Sequence, residues 1–145
     1  MTVLVGYGNT MRRDDGVGWR VVRQLAPHCT GVQVITAHQL MPELAADVAG
    51  AAQVVFVDAS IDGTAGEVGI HRLHPLDRLE DAHALTPPGI LYLASYLYER
   101  VPPAHLVTIT GETFALGDTL SATVEAAVPR AVDVICELLT GCDKA

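Results

Sequence analysis

The chain is poor in lysine and in aromatic residues. The first scarcity bears on its partners, and the second on the composition of its core. Lys144 is the only lysine among nine basic side chains in 145 residues, and the formal net charge is −8. Phosphate contacts need a clustered basic face, so nucleic acid is not an expected partner. Aromatic residues make up 5% of the chain and hydrophobic residues 50%, so we expect a core of Val, Leu, Ile and Ala.

Cysteines and long apolar runs are also scarce. Cys29, Cys136 and Cys142 are unevenly spaced and include no Cys-x-x-Cys pair. We therefore expect neither a disulfide framework nor a zinc knuckle, and we interpret all three as small buried hydrophobes in a reducing cytoplasm. No apolar run approaches the ~20 residues that cross a bilayer, and the N-terminus lacks the pattern of a secretory signal. We expect a cytoplasmic protein with no membrane partner.

Apolar strands alternate with amphipathic helices along the chain. Its length fits one domain, residues 1–145, and the alternation predicts an α/β fold around a mostly parallel sheet. Continuous apolar runs predict buried strands at 2–7, 32–36, 53–58 and 106–110, and 66–73 is a possible edge or antiparallel strand. The helices are predicted at 17–25, at 40–48 with its start near Pro42, and from Pro87 with Thr86 as its cap. The last is predicted at 124–139, where Pro129 either kinks the helix or marks its start.

Ligands of open parallel sheets bind beyond the carboxyl ends of the strands, so the polar residues there are the candidates for chemistry. They are Asn9, Arg12, Arg13, Asp14 and Asp15 after the first strand, His38 and Gln39 after the second, Asp58 and Ser60 after the third, and Glu112 after the last. His83 precedes the helix that begins near Thr86 and can return to the same rim.

The glycine-rich segment after the first strand does not fit a nucleotide site. Gly6-x-Gly8 lacks the third glycine of a dinucleotide fingerprint, and no Gly-Lys-Ser/Thr sequence follows it. One acid of Asp14-Asp15 could cap the following helix. Gly16 and Gly18 are poor helix formers, however, and their presence in the first turn favours a close approach of some other group to the backbone.

Two carboxylates and an imidazole on one rim form a three-ligand set suited to a borderline metal such as Ni or Zn. Taken singly, Asp58 can equally be a turn residue, and His83 a solvated loop histidine. His71 and His74 do not make a helical His-Glu-x-x-His motif, and we interpret both as surface residues. No serine lies in a nucleophile elbow.

Three motifs carry a family resemblance. They are Gly6-x-Gly8-Asn9-x-Met11-x-x-Asp14-Asp15-Gly16-x-Gly18, Phe56-Val57-Asp58-Ala59 and His83-x-Leu85-Thr86-Pro87. Together they resemble the hydrogenase maturation proteases, which process the large subunit of [NiFe] hydrogenases. The resemblance implies a three-layer fold in which helices flank a twisted, mostly parallel five-stranded sheet.

The resemblance also implies a site and a substrate. Asp15, Asp58 and His83 would bind the metal, and Asp15 and Asp58 are the candidate catalytic residues. The nickel would be supplied by the substrate, so no resident cofactor is expected. The partner would be the [NiFe] hydrogenase large-subunit precursor, from which the enzyme removes a C-terminal extension.

One departure from the family and two other functions stay open. After the second strand many relatives carry an Asp-Gly-Gly-Thr type turn, whereas this chain has Ala37-His38-Gln39-Leu40, similar to the branch that serves cytosolic, cofactor-linked hydrogenases. His38 is therefore a candidate specificity residue or auxiliary ligand. The alternative function is a non-catalytic metal- or precursor-binding chaperone. A small-molecule α/β hydrolase would need a nucleophile or a resident metal.

Overall fold

A computed structural model of the chain describes residues 1–79, 85–139 and 141–142. The strands are Thr2–Tyr7 (β1), Val32–Ala37 (β2), Gln53–Ser60 (β3), Val68–Arg72 (β4) and Ala104–Thr110 (β5). The α-helices are Val17–Leu25 (α1), Leu44–Ala49 (α2), Pro87–Tyr98 (α3) and Ala122–Leu138 (α4), and short 3-10 helices, Arg13–Gly16 and Ala26–His28, flank α1. Within this described part, no helix is long and apolar enough to cross a membrane.

The strands form one five-stranded sheet in the order β2-β1-β3-β5-β4. The pairs β1–β2, β1–β3 and β3–β5 are parallel, and β4 pairs antiparallel with β5 at the edge. This confirms the expected α/β fold with a mostly parallel sheet between helices. Since the four parallel strands run in one direction, the loops after β1, β2, β3 and β5 meet at the same edge of the sheet.

Helices cover both faces of the sheet. One face packs against α1 and α4 through aliphatic side chains such as Leu4 and Val107. The other packs against α2 and α3 and includes Val5 and Phe56. Because successive strand residues point to opposite faces, Asp58 shares the second face with Phe56, two residues before it.

Two helices differ from their predicted bounds. α2 begins at Leu44, two residues after the predicted start near Pro42, and follows a turn in which the Leu44 N–H donates to the Met41 carbonyl at 3.1 Å. α4 begins at Ala122, where the Ser121 hydroxyl caps it by accepting from the Val124 N–H at 3.3 Å. Pro129 therefore lies inside the helix, and the alternative that it marks the helix start is wrong.

The expectation about the cysteines is wrong for two of the three. Cys29 and Cys142 form a disulfide across 113 residues of sequence. Cys29 follows the second 3-10 helix, and Cys142 follows α4. The adjacent Thr30 N–H donates to the Gly141 carbonyl at 2.8 Å, which aligns the two segments. Spacing along the sequence cannot reveal a pair that only the tertiary fold brings together, so cysteine usage does not support a reducing compartment.

Candidate active site

Asp14 is a structural residue that ties two rim loops together. It is fully buried, and its carboxylate accepts from the backbone N–H groups of Glu112, Thr113 and Ser121 at 2.8, 3.0 and 2.7 Å and from the Ser121 hydroxyl at 2.8 Å. Burial raises the pKa of Asp14, but these hydrogen bonds outweigh it and hold the pKa below its ordinary value of 3.8.

This arrangement corrects the expected capping role of the acid pair. The residue before α1 is Gly16, and no side chain caps that helix by a hydrogen bond. Asp14 binds the start of α4 instead, through Ser121. Glu112 therefore contributes only its backbone N–H to the hydrogen bonds around Asp14, and its side chain is exposed.

Asp15 is the half-buried member of the pair and lies beside Asn9. One of its carboxylate oxygens accepts from the Asn9 N–H at 2.7 Å, and the Asn9 side-chain oxygen accepts from the Met11 N–H at 2.9 Å. Gly8 makes this loop possible. Its φ is +139°, and a Cβ at Gly8 would lie 2.1 Å from the Asp15 carbonyl oxygen. The loop thus fixes Asp15 at the end of β1.

Asp58 lies within β3, two residues before the strand ends, and its carboxyl is half-buried. Burial raises its pKa to about 7, and the negative charge of Asp15 adds to this increase. Hydrogen bonds from the Ala59 N–H, at 2.8 Å, and from the Tyr7 hydroxyl oppose the increase without cancelling it. Asp58 can therefore exchange a proton near neutral pH.

Tyr7 is neutral, and its hydroxyl donates a hydrogen bond to the Asp58 carboxyl. Burial raises its pKa above the ordinary value of 10.0, and the nearby charges of Asp58 and Asp15 act in the same direction. Its ring packs edge-on against Phe56, with centroids 6.5 Å apart. Asp15, Asp58 and Tyr7 thus interact electrostatically at the carboxyl ends of β1 and β3.

The glycines of the opening motif make room for the chain itself. A Cβ at Gly6 would lie 2.4 Å from the Gly18 carbonyl oxygen, and one at Gly18 would lie 2.4 Å from the Val57 carbonyl oxygen. A Cβ at Gly16 would lie 3.1 Å from the Thr10 Cα. These contacts correct the expectation that the glycines admit an outside group, because helix α1 itself fills the space against β1 and β3.

A cleft of about 700 Å³ opens beside Asp58 on the face of the sheet that carries α2 and α3. Its lining includes Thr108 and Thr110 of β5, Gly69 and His71 of β4, and the acids Asp62 and Glu67 of the β3–β4 connection. His71 is exposed, as expected of a surface residue, and it also lines the cleft, which the sequence did not indicate. The period-two pattern of β4 could have indicated its face, but not that this face borders Asp58.

The remaining candidates from the sequence are dispersed. His83 lies outside the described residues, so its role as a metal ligand stays a prediction. His38 and Gln39 are exposed after β2. Arg13 has a positive φ of 47° and donates through Nε to the Thr119 carbonyl at 3.0 Å. Arg12 is exposed, and the Ser60 hydroxyl accepts from the Asp62 N–H at 3.1 Å.

The donor set fits a metal only in part. Across residues 1–79, 85–139 and 141–142, no group of three or more His, Cys, Asp and Glu side chains could hold a metal ion. Asp15 and Asp58 nevertheless lie close enough for the charge of Asp15 to raise the pKa of Asp58. Two neighbouring carboxylates can supply two ligands, and an incoming cation would relieve their repulsion.

No family model matches the chain, and no curated protein does. Solved structures do match it. The [NiFe] hydrogenase maturation protease HybD from Thermococcus kodakarensis is 26% identical over 96% of this chain and 99% of its own, with a TM-score of 0.70. HycI, a [NiFe] hydrogenase maturation protease from the same organism, is 27% identical over 95% and 91%, with a TM-score of 0.72. The hydrogenase maturating endopeptidase HybD from E. coli, 21% identical over 95% and 91%, shares the fold with a TM-score of 0.77.

Proposed function

As a member of the hydrogenase maturation proteases, this chain is a peptidase, and we propose that it removes the C-terminal extension of a nickel-loaded [NiFe] hydrogenase large-subunit precursor. The observation that carries the proposal is the pairing of Asp15 with Asp58 at the carboxyl edge of the sheet, beside an open cleft. Asp58 lines this cleft, so a peptide bond held there would lie next to its carboxyl group.

Nickel is the feature of the substrate that this pair would recognise. Asp15, Asp58 and His83 would supply two oxygen ligands and one nitrogen ligand, which suit Ni²⁺. The metal belongs to the precursor, and the chain needs no resident cofactor. When bound, nickel would hold the scissile peptide at the rim and polarise its carbonyl group.

Asp58 is the residue best suited to move the proton. A group that takes a proton from the attacking water and passes it to the leaving amine nitrogen works best with a pKa near the working pH. In the metal-free protein, burial and the charge of Asp15 raise the pKa of Asp58 to about 7, and a nearby cation would leave Asp58 as the carboxylate that accepts the proton of the water. The Tyr7 hydroxyl donates a hydrogen bond to this carboxyl and orients it.

The proposal is tested by the intact mass of the nickel-loaded precursor before and after incubation with the protein. Wild type should shorten the precursor by a C-terminal segment. Asp15→Ala, Asp58→Ala and His83→Ala should leave its mass unchanged, and Asp77→Ala, an exposed acid, should act like wild type. A wild-type protein that binds the precursor but never shortens it would instead be a chaperone.

A further inference from the structure

We infer that His71 is a substrate-positioning residue that binds the extended peptide of the precursor two to three residues from the scissile bond. The inference rests on the proposed peptidase function and deepens it. It names which part of the substrate fills the cleft beside Asp58 and which side chain holds that part.

The sheet register places His71 next to the reacting carboxyl. Asp58 of β3 pairs with Thr108 of β5, and Thr108 pairs in turn with Gly69 of β4. These three residues form one row across the sheet, on the face that lines the cleft. The His71 ring reaches back into this row, where its Nε2 lies 3.3 Å from the Thr108 hydroxyl oxygen.

Gly69 allows the imidazole to lie in this position. A Cβ at Gly69 would come within 2.8 Å of the Thr108 hydroxyl oxygen and 3.0 Å of His71 Nε2. Any larger residue would therefore displace the ring from Thr108. Glycine weakens the interior of a strand and commonly marks a place where another group approaches closely. Here the glycine leaves room for the exposed imidazole to lie across β4.

The lining of the cleft combines hydroxyl, carboxyl and imidazole groups. Among its described residues, His71 is the only basic side chain, and Asp58, Asp62 and Glu67 are the acids. Within the described part of the chain, Thr108 is the one hydrogen-bond partner of His71, through Nε2. Nδ1 is then available to a backbone group of a peptide that lies across the row, and imidazole nitrogens serve as donor or acceptor according to tautomer.

The spacing of the strands indicates which residue of the substrate His71 contacts, counted from the scissile bond. Neighbouring strands lie about 4.8 Å apart, so the ring lies one to two strand spacings, about 5–10 Å, from Asp58. An extended peptide advances about 3.3 Å per residue, so His71 meets the substrate about two to three residues from the bond beside Asp58.

The test compares KM and kcat for cleavage of the nickel-loaded precursor. His71→Phe keeps the size of the ring and removes both nitrogens, and we expect about a tenfold higher KM with kcat within twofold of wild type. His71→Asn, which keeps a hydrogen-bonding group, should recover part of the loss. Gly69→Ala should raise KM as well, because it displaces the ring.

His74→Phe is the matched control, since His74 is exposed three residues further on and does not line the cleft. Its KM should equal that of wild type. Equal thermal midpoints for His71→Phe and wild type would exclude a purely structural effect. A KM for His71→Phe within twofold of wild type, or a fall in kcat alone, would overturn the inference while leaving the proposed function intact.

If wild type releases no peptide, the proposed function fails, and the inference is decided by the affinity of the precursor, measured by fluorescence anisotropy. About tenfold weaker binding by His71→Phe, with His74→Phe unchanged, would support it. Equal binding by both variants would overturn it.

Discussion

The carboxylate of Asp14 accepts hydrogen bonds from both the backbone N–H and the hydroxyl of Ser121, at 2.7 and 2.8 Å, across 107 residues of sequence. Ser121 caps α4, so one buried acid joins the loop after β1 to the start of the last helix. Asp15, the next residue, is left to interact with Asp58. The acid pair therefore divides into a structural member and a member that faces the candidate active site.

Asp14→Asn should lower the free energy of unfolding by about 3 kcal/mol, because an amide NH₂ would then face at least one backbone N–H donor. The thermal midpoint should fall by about 10 °C for a chain of this size. Asp77→Asn is the control. In wild type the pKa of Asp14 lies below 3.8, so its stabilisation is present above about pH 4 and is lost as the pH falls further. Equal midpoints for the two variants would refute the structural role.

Gly18→Ala should destabilise the fold by about 3 kcal/mol, because the new Cβ would lie 2.4 Å from the Val57 carbonyl oxygen and force α1 away from β3. Gly50→Ala is the matched control. It sits at the end of α2 with φ of −81°, and its Cβ would lie 3.6 Å from the nearest atom. Urea titration followed by circular dichroism compares the two. Equal stabilities would show that the helix tolerates a side chain here.

The stability of the metal-free protein should fall as the pH rises from about 4 to about 7. The folded state binds the Asp58 proton more tightly than the unfolded state, since its pKa rises from 3.8 to about 7. Asp58 therefore opposes folding once it ionises, by up to about 4 kcal/mol. Asp58→Asn should remove this fall, and Asp62→Asn should keep it. Identical pH profiles for wild type and Asp58→Asn would contradict the raised pKa.

The affinity for free Ni²⁺ should rise about tenfold with each unit increase in pH up to about pH 7. Below that pH the metal must displace the proton that Asp58 holds. Isothermal titration calorimetry with nickel chloride between pH 5.5 and 7.5 measures this dependence and the protons released. Asp58→Asn should bind nickel weakly at every pH. An affinity that stays constant over this range would argue against Asp58 as a ligand.

The fold was predictable because local patterns determine it. The apolar run of β1 and the capping of α3 by Thr86, whose hydroxyl accepts from Gly89 N–H at 3.2 Å, are properties of a few neighbouring residues. The edge strand was harder to predict because it is short and partly exposed. The start of α2 was placed too early because Leu40 is buried but lies before the turn at Pro42.

The site was predictable only where one motif determines it. The sequence indicated Asp15 and Asp58, and the fold brings them close enough for the charge of Asp15 to raise the pKa of Asp58. The partners of Asp14 lie about a hundred residues away, so no local pattern could show that it binds Ser121. The same distance hid the Cys29–Cys142 disulfide. His71 looked unremarkable because its place beside Asp58 depends on the pairing of β4 with β5.

In the proposed mechanism, Asp15 and Asp58 act on a peptide bond through the nickel that the precursor carries. The most direct measurement is the rate at which the C-terminal segment is released, followed by intact mass, from nickel-loaded and nickel-free precursor at pH 7.5. Wild type should cleave the loaded form only, and Asp58→Asn should be at least about 100-fold slower. Equal cleavage of nickel-free precursor, or full activity of Asp58→Asn, would contradict the account.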